Sequence, residues 1–453
     1  MHTPRFPDLD RRTLLGGSLG LAAVGSLPWL AGCSSTPSTA AVDPGPPQQV
    51  GLISADLPRK EVSIDSPMVD EVVAGIASFG IDLHRVTATS TENWTASPLS
   101  IAVAAGMLRA GCRGETAEQL DGTLHFPKGD VPEGLPHEAL NALTAELVTT
   151  VPVKVGEDPV KQGQPGPKPI VGVANALFID TDFQSFVKDQ FLALLAQQYG
   201  AGAIGVNFDA PSAVNTINEW VSTQTRDRIK TLFKELDPAT VLVLCNAVYL
   251  KATWAEQFDE PATKNGNFTS PTGVMQVPLM NNTFDRVPYI ETDSYQRVTL
   301  AYVGDELSMR IVLPRDTVTD VDALNALLDV AVEPHPAQQS RAVDLTLPKW
   351  DAATDIDLRS VLSELGMTDA FDPNLADLSG IADADLYVAK AVHRANVTVD
   401  EKGTEAAAVT GFAVEVLSAI IALKMRVDRP FVWAVMHEPT GTPVFVGHVV
   451  NPM

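Results

Sequence analysis

Side chains able to act as nucleophiles, bases or metal ligands are present in this chain, but their spacing withholds the partners each would need. Gly16-Gly17-Ser18-Leu19-Gly20 has the G-x-S-x-G spacing of a hydrolase nucleophile, which works only on a sharp strand-to-helix turn. Here it lies in an apolar N-terminal run that reads as an export signal. Ser185-Phe186-Val187-Lys188 has the S-x-x-K spacing without the S-D-N and K-T-G companions that complete such a site. His437-Glu438-Pro439 lacks the second histidine four residues on that a zinc-binding helix requires. The three cysteines, Cys33, Cys112 and Cys245, show no metal-ligand spacing. The pattern predicts a protein that is not an enzyme, with no catalytic residue, no metal and no cofactor.

A different kind of chemistry is suggested by His393–Gly411, HRANVTVDEKGTEAAAVTG, where a strand-like run gives way to small residues and then to an apolar segment. From Thr404 the side chains alternate. Thr404, Ala406, Ala408, Thr410, Phe412, Val414 and Val416 fall on one face, and Glu405, Ala407, Val409, Gly411, Ala413 and Glu415 on the other. Thirteen residues in that conformation span about 43 Å at roughly 3.3 Å each, longer than a typical strand and suited to a large sheet. Thr404–Ala408 carries little bulk and little side-chain entropy, so it can slip between neighbouring strands. The segment reads as a loop built to become a strand.

These residues resemble the serpin family, whose reactive-centre loop follows a hinge of the form EKGTEAA, here Glu401, Lys402, Gly403, Thr404, Glu405, Ala406 and Ala407. Four other segments are similar to the same family: Asn93–Thr116 to the region around its helix B, Val206–Asp237 to helix F and the stretch after it, Leu242–Asp259 to a strand with its breach tryptophan, and Asp428–Pro452 to the C-terminal hairpin. The resemblance spans about residues 63–453. It implies a mixed α+β fold with three β-sheets, about nine helices and an exposed reactive-centre loop, occupying residues 61–453. It also implies a suicide inhibitor, in which a target serine protease forms a covalent acyl complex and the cleaved loop inserts into a sheet.

Counting seventeen residues from the hinge glutamate, as the family does, places the scissile bond at Leu417-Ser418. Leucine there implies chymotrypsin-like, elastase-like or subtilisin-like targets; Met425-Arg426 is a basic alternative further downstream. The hinge would comprise Glu401, Gly403, Thr404, Glu405, Ala406, Ala407 and Ala408. Ser97, Ser100, Asn246 and His393 fall where the family places its shutter, and Trp254, Lys349 and Glu401 where it places its breach, with Lys349 and Glu401 paired. A non-inhibitory member acting as a surface binding module is the alternative; such members often carry bulky, charged or proline residues in the hinge, and Thr404–Ala408 has one charge and no proline. Val409 is larger than the alanine common there and is expected to point outward.

The N-terminus carries a second signal. Asp10-Arg11-Arg12 precedes a 17-residue apolar run, Leu14–Leu30, interrupted by glycines and Pro28. That pattern predicts a twin-arginine export signal, too short and weak for a transmembrane helix. Leu30-Ala31-Gly32-Cys33 resembles a lipobox, so residues 1–33 are expected to be a signal peptide cleaved before a lipidated Cys33. Residues 34–60, rich in Ser, Thr and Pro at the start, are expected to be a flexible spacer. The protein is then exported and held on the outer face of a membrane by a lipid anchor, or secreted. Twin-arginine substrates usually cross folded from a reducing compartment, so Cys112 and Cys245 are expected to be free and buried. A net charge of −24 among 453 residues excludes nucleic acid and argues against heparin-like polyanions. A monomer is expected, and 45% hydrophobic residues suffice for one large core. Val151–Pro169, rich in Pro and Gly, reads as a surface loop.

Overall fold

Burial alternates along Lys390–Asp400, whereas Leu307–Pro314 and Thr442–Val449 are buried on both faces. The computed structural model describes residues 51–453 except 67, 128–133, 148–168, 226, 238–239, 319, 335–338 and 405–421. All of these described residues belong to one compact unit, Asp43–Met453. In chain order the strands are β1 (Gly51–Ile53), β2 (Trp94–Ala96), β3 (Ile170–Asp180), β4 (Ala203–Val206), β5 (Leu242–Thr253), β6 (Lys264–Ser270), β7 (Gly273–Glu291) and β8 (Tyr295–Ala301). They continue with β9 (Leu307–Pro314), β10 (Gln339–Pro348), β11 (Trp350–Asp357), β12 (Lys390–Asp400), β13 (Gly403–Thr404), β14 (Leu423–Arg426), β15 (Phe431–His437) and β16 (Thr442–Val449). The α-helices are α1 (Val69–Thr87), α2 (Pro98–Arg109), α3 (Gly114–Thr123), α4 (Leu135–Leu147), α5 (Asp189–Leu194), α6 (Ala213–Gln224), α7 (Val321–Val332) and α8 (Leu358–Glu364).

Seven strands pair in the order β1-β4-β3-β5-β13-β12-β11, and nine form the path β14-β10-β7-β8-β9-β15-β16-β2 with β6 on β7. The 19-residue β7 joins a region shared with β6, β10 and β14 to one shared with β8. Two of the three expected sheets are therefore one hydrogen-bonded network. The seven-stranded sheet is covered on both faces. On one side lies α2, whose residues from Pro98 to Leu108 are all buried and pack on β3, β5 and β16. Its Ala and Gly content lets the backbone lie close to the sheet. Ser97 caps it by accepting the Ser100 N–H, and Pro98 sits at its first position. On the other side α6 presents Ile217 and Val221 to Phe178, Val243, Cys245 and Ala247.

The chain joins the sheet earlier than the expected boundary at residue 61. β1 pairs antiparallel with β4, Leu52 opposite Ile204. Arg59 donates to Asn141 Oδ1 at 2.7 Å and to its carbonyl at 2.9 Å, while Lys60 N–H reaches Gln197 O at 2.8 Å. A three-residue strand held by backbone bonds on a sheet edge leaves no periodic signal, so residues 51–60 read as spacer. Most of Val151–Pro169 and all of residues 1–50, including Cys33, lie outside the described residues.

Candidate functional site

The central strands β5 and β12 run parallel and pair from Val243↔Lys390 to Tyr249↔Asn396. Beyond that point they part, and β13 occupies the gap. Thr404 pairs with Ala252 on one side and Val399 on the other; Gly403 pairs with Thr253 and Asp400. This wedge has φ of +147° at Gly403, where a Cβ would sit 2.1 Å from Ala252 O, so only glycine fits the turn into the gap. Asp400 Oδ1 accepts the backbone N–H groups of Lys402 and Gly403 at 2.8 and 3.2 Å, an Asx turn that reverses the chain out of β12.

The wedge is pinned from outside. Trp254 stacks on Tyr302 with ring centroids 4.5 Å apart and planes 6° from parallel. Its Nε1–H donates to Asp400 O at 3.0 Å, and its backbone N–H to Lys402 O at 2.9 Å. Tyr302 and Thr404 hydroxyls lie 2.7 Å apart, both buried. Lys349 Nζ lies 2.6 Å from Glu401 Oε2, and Thr263 donates to Oε1 at 2.7 Å. Burial works against ionisation of Glu401, yet the hydrogen bonds from Lys349 and Thr263 outweigh it and hold the carboxyl below its usual range.

Where β5 and β12 are still closed, their paired residues Asn246 and His393 meet α2. His393, fully buried, accepts the Ser97 N–H at Nε2, 3.2 Å away. That assigns the proton to Nδ1, which donates to Asn246 Oδ1. Asn246 Nδ2 donates to Ser100 Oγ at 2.6 Å and Ser100 O at 2.8 Å, and also meets Asn175 Oδ1 on β3. Ser97 Oγ donates to Val444 O at 2.6 Å. The four residues Ser97, Ser100, Asn246 and His393 thus form one buried cluster bridging β5, β12, α2 and β16.

Asn175 belongs to this cluster and is absent from the residues singled out by sequence; a lone amide inside the apolar run of β3 was the available sign. Asp400, two residues before Lys402, carried the Asx-turn sign in its type and spacing. Tyr302 and Thr263 had no local sign, being joined to the wedge only through the fold. The remaining hinge residues Glu405, Ala406, Ala407 and Ala408, and the pair Leu417 and Ser418, lie outside the described residues. Met425 is buried and, with Arg426, hydrogen-bonded in register to Leu345 and Thr346 of β10, so the basic alternative bond sits in a paired strand.

Cys112 and Cys245 are free and buried. Burial lifts the Cys112 thiol to about 12 and Cys245 well above its ordinary value, which leaves both unreactive. Burial also lowers His393 to about 3. A second proton would have to go on Nε2, against the Ser97 N–H. An unfolded histidine titrates near 6.5, so the contribution is whole above that pH and is lost as pH falls towards 3. By pH 5 His393 alone costs about 2 kcal/mol. Burial depresses His84, His137, His437 and His448 in the same sense. The guanidinium unfolding midpoint is expected to fall steeply between pH 6.5 and 5, whereas a flat profile across that window would show that these rings protonate in place.

A family model described as Serpin (serine protease inhibitor) matches residues 74–452. The chain is 32% identical over 389 residues to an uncharacterized serpin-like protein of Thermococcus kodakarensis, covering 84% of this chain and 86% of that one. It is 33% identical over 391 residues to the leukocyte elastase inhibitor of Equus caballus, covering 83% and 97%. The native state of tengpin, a thermophilic serpin, matches with a TM-score of 0.74 at 26% identity, over 89% of this chain and 100% of that one. Serpins are generally non-catalytic inhibitors that form complexes with target proteases. With a family model spanning most of its length and a mixed α+β fold shared with serpin structures, this chain belongs to the serpin family.

Proposed function

We propose that the protein is a suicide inhibitor of extracellular serine proteases with an apolar primary pocket, cleaved at Leu417-Ser418. The observation that carries this reading is the seat of Gly403-Thr404, paired on both sides at the open end of β5 and β12. Continuing its register by six residues puts Thr410 opposite Asn246 (252 − 6) and His393 (399 − 6), two residues that now pair with each other. Each residue from Ala407 to Ala413 would split one existing pair without any change of register on either side. Thr410 falls on the face of Thr404, so its hydroxyl would enter the buried cluster as the Asn246–His393 contact opens. Phe412 would lie beside Leu244 and Ala391, both buried, and gain about 1.5–3 kcal/mol from burial.

The chemistry belongs to the protease. Its serine Oγ attacks the Leu417 carbonyl carbon, the bond to Ser418 breaks, and the new amine leaves with the proton relayed by the protease histidine. The acyl ester then travels with Leu417 as the loop enters the sheet, and deacylation fails because the triad is pulled out of order. Export by a twin-arginine signal in residues 1–33, lipidation at Cys33 and a tether at the outer membrane face complete the reading, supported by Arg11-Arg12 and the lipobox-like Leu30–Cys33. The acidic charge supports a protein that acts without heparin or nucleic acid.

The test is to incubate the chain from Ser34 onward with chymotrypsin and with subtilisin, run denaturing gels and sequence the new N-terminus. A detergent-stable complex and a terminus at Ser418 are expected. Clean cleavage with no complex by either protease, and no gain of heat stability after cleavage, would instead favour a non-inhibitory surface binding module.

A further inference from the structure

Away from the sheet wedge, a cavity of about 250 Å³ opens between the end of α2, the start of α4 and one face of α5. Phe191 and Leu194 of α5 and Ala110 form its apolar wall; Arg113, Gln190 and His137 line the rest. Gly134, the residue before the first turn of the 13-residue α4, also borders it. The positive end of that helix dipole therefore faces the space.

His137 supplies an independent pointer. Only 6% of it is exposed, and its Nδ1 lies 2.6 Å from the Tyr199 hydroxyl. Tyr199 is partly buried, in surroundings that push its phenol far above its ordinary value, so it keeps its proton and donates it to Nδ1. The imidazole, held neutral by burial, then carries its own proton on Nε2. Tyr199 does not line the cavity, so the opposite edge of the ring is the one turned to it, and this Nε2–H has no partner among the described residues. The donor is left open to the cavity, where an acceptor can meet it.

The remaining groups fix the class of acceptor. Arg109 at the cavity is already neutralised by Asp121, with Nε–Oδ1 at 2.8 Å and a second bond of 2.9 Å. Arg113 spends one nitrogen, Nη1, on the carbonyls of Ala110 and Cys112 and makes no ion pair among the described residues. Among the described residues the cavity therefore presents a guanidinium without an ion pair, a helix N-terminus, an imidazole donor and an amide, against apolar walls. We propose that it is a binding site for a small monocarboxylate with an apolar body, its carboxylate held by Arg113, His137 and the start of α4 and its hydrocarbon on Phe191 and Leu194. The volume is below that of drug-sized pockets, which excludes long-chain lipids. A phosphate dianion would bring more charge than Arg113 offsets and would leave the apolar wall bare.

The test uses the full chain and needs no protease. Octanoate and benzoate, their neutral counterparts octan-1-ol and benzyl alcohol, and inorganic phosphate are titrated by calorimetry, with thermal unfolding in parallel. A saturable carboxylate response and a raised unfolding midpoint are expected, with neither alcohol nor phosphate reproducing them. Arg113→Gln should weaken the carboxylate at least about tenfold, the loss of one charge-assisted contact, and Leu194→Trp should abolish binding while leaving the unfolding midpoint of the free protein nearly unchanged. Equal binding of the alcohols, binding of phosphate alone, carboxylate binding indifferent to both substitutions, or no saturable response to any probe at millimolar concentration would each overturn the assignment. None of these outcomes depends on whether the loop inhibits a protease.

Discussion

Ala406→Pro is expected to turn the proposed inhibitor into a substrate. From Thr404 opposite Ala252 and Val399, two steps bring residue 406 opposite Leu250 and Val397, in the middle of the sheet and just beyond the closed pairing that ends at Tyr249↔Asn396. A strand entering there needs donors on both sides, and proline has no N–H and a fixed φ. Loop entry competes with hydrolysis of the acyl ester, so each 1.4 kcal/mol added to the entry barrier shifts the outcome about tenfold towards release of active protease. Loss of a ladder bond and the misfit of the ring together exceed that amount. The fraction of protease trapped as a detergent-stable complex should therefore drop by more than about tenfold, while cleavage at Leu417-Ser418 continues at a comparable rate because that bond is eleven residues away. Undiminished trapping by this variant would sink the insertion mechanism.

The same register explains why some of the arrangement could be read from residues alone and some could not. The alternation from Thr404 onward, the small hinge residues and the glycine at 403 are local properties, and the turn chemistry of Asp400 and Gly403 lies within four residues. The cluster under the sheet is different. His393 is one imidazole in a strand whose neighbours alternate, and nothing near it in sequence marks Asn246, 147 residues away; only the resemblance of separate segments to one family brought the two together. Asn175 and Tyr302 escaped because their roles arise from strand pairing and stacking between distant segments. The outward direction assigned to Val409 also changes meaning. Its place in the continued register is opposite Ala247, which α6 covers, so that face is a packed layer and not solvent. Small residues at Ala407 and Gly411 then matter as much as those on the inner face, because α6 must be displaced or accommodated for each bulky group that passes beneath it.

Leu417→Arg is expected to exchange one set of targets for another. In the proposed complex the side chain at 417 fills the primary pocket of the protease. Leucine gains from an apolar pocket, whereas an arginine placed there would bury a guanidinium without a partner, a cost of several kcal/mol. Inhibition of chymotrypsin and subtilisin should fall at least about a hundredfold, the scale on which such pockets discriminate, and trapping of trypsin should emerge, since its pocket offers a carboxylate to the cation. The hinge and the buried cluster are untouched, so the stability gained on cleavage should stay as in the parent chain. The new terminus, read by sequencing, must remain Ser418. The competing basic bond, Met425-Arg426, is held in β14 with Met425 buried against the sheet, and a protease cleft, which needs several residues free and extended, cannot reach it without stripping β14 from β10. If Leu417→Arg leaves the inhibition profile unchanged, the bait residue is elsewhere in the loop and the count from Glu401 has slipped, but the wedge at Gly403-Thr404 and the mechanism it supports would stand.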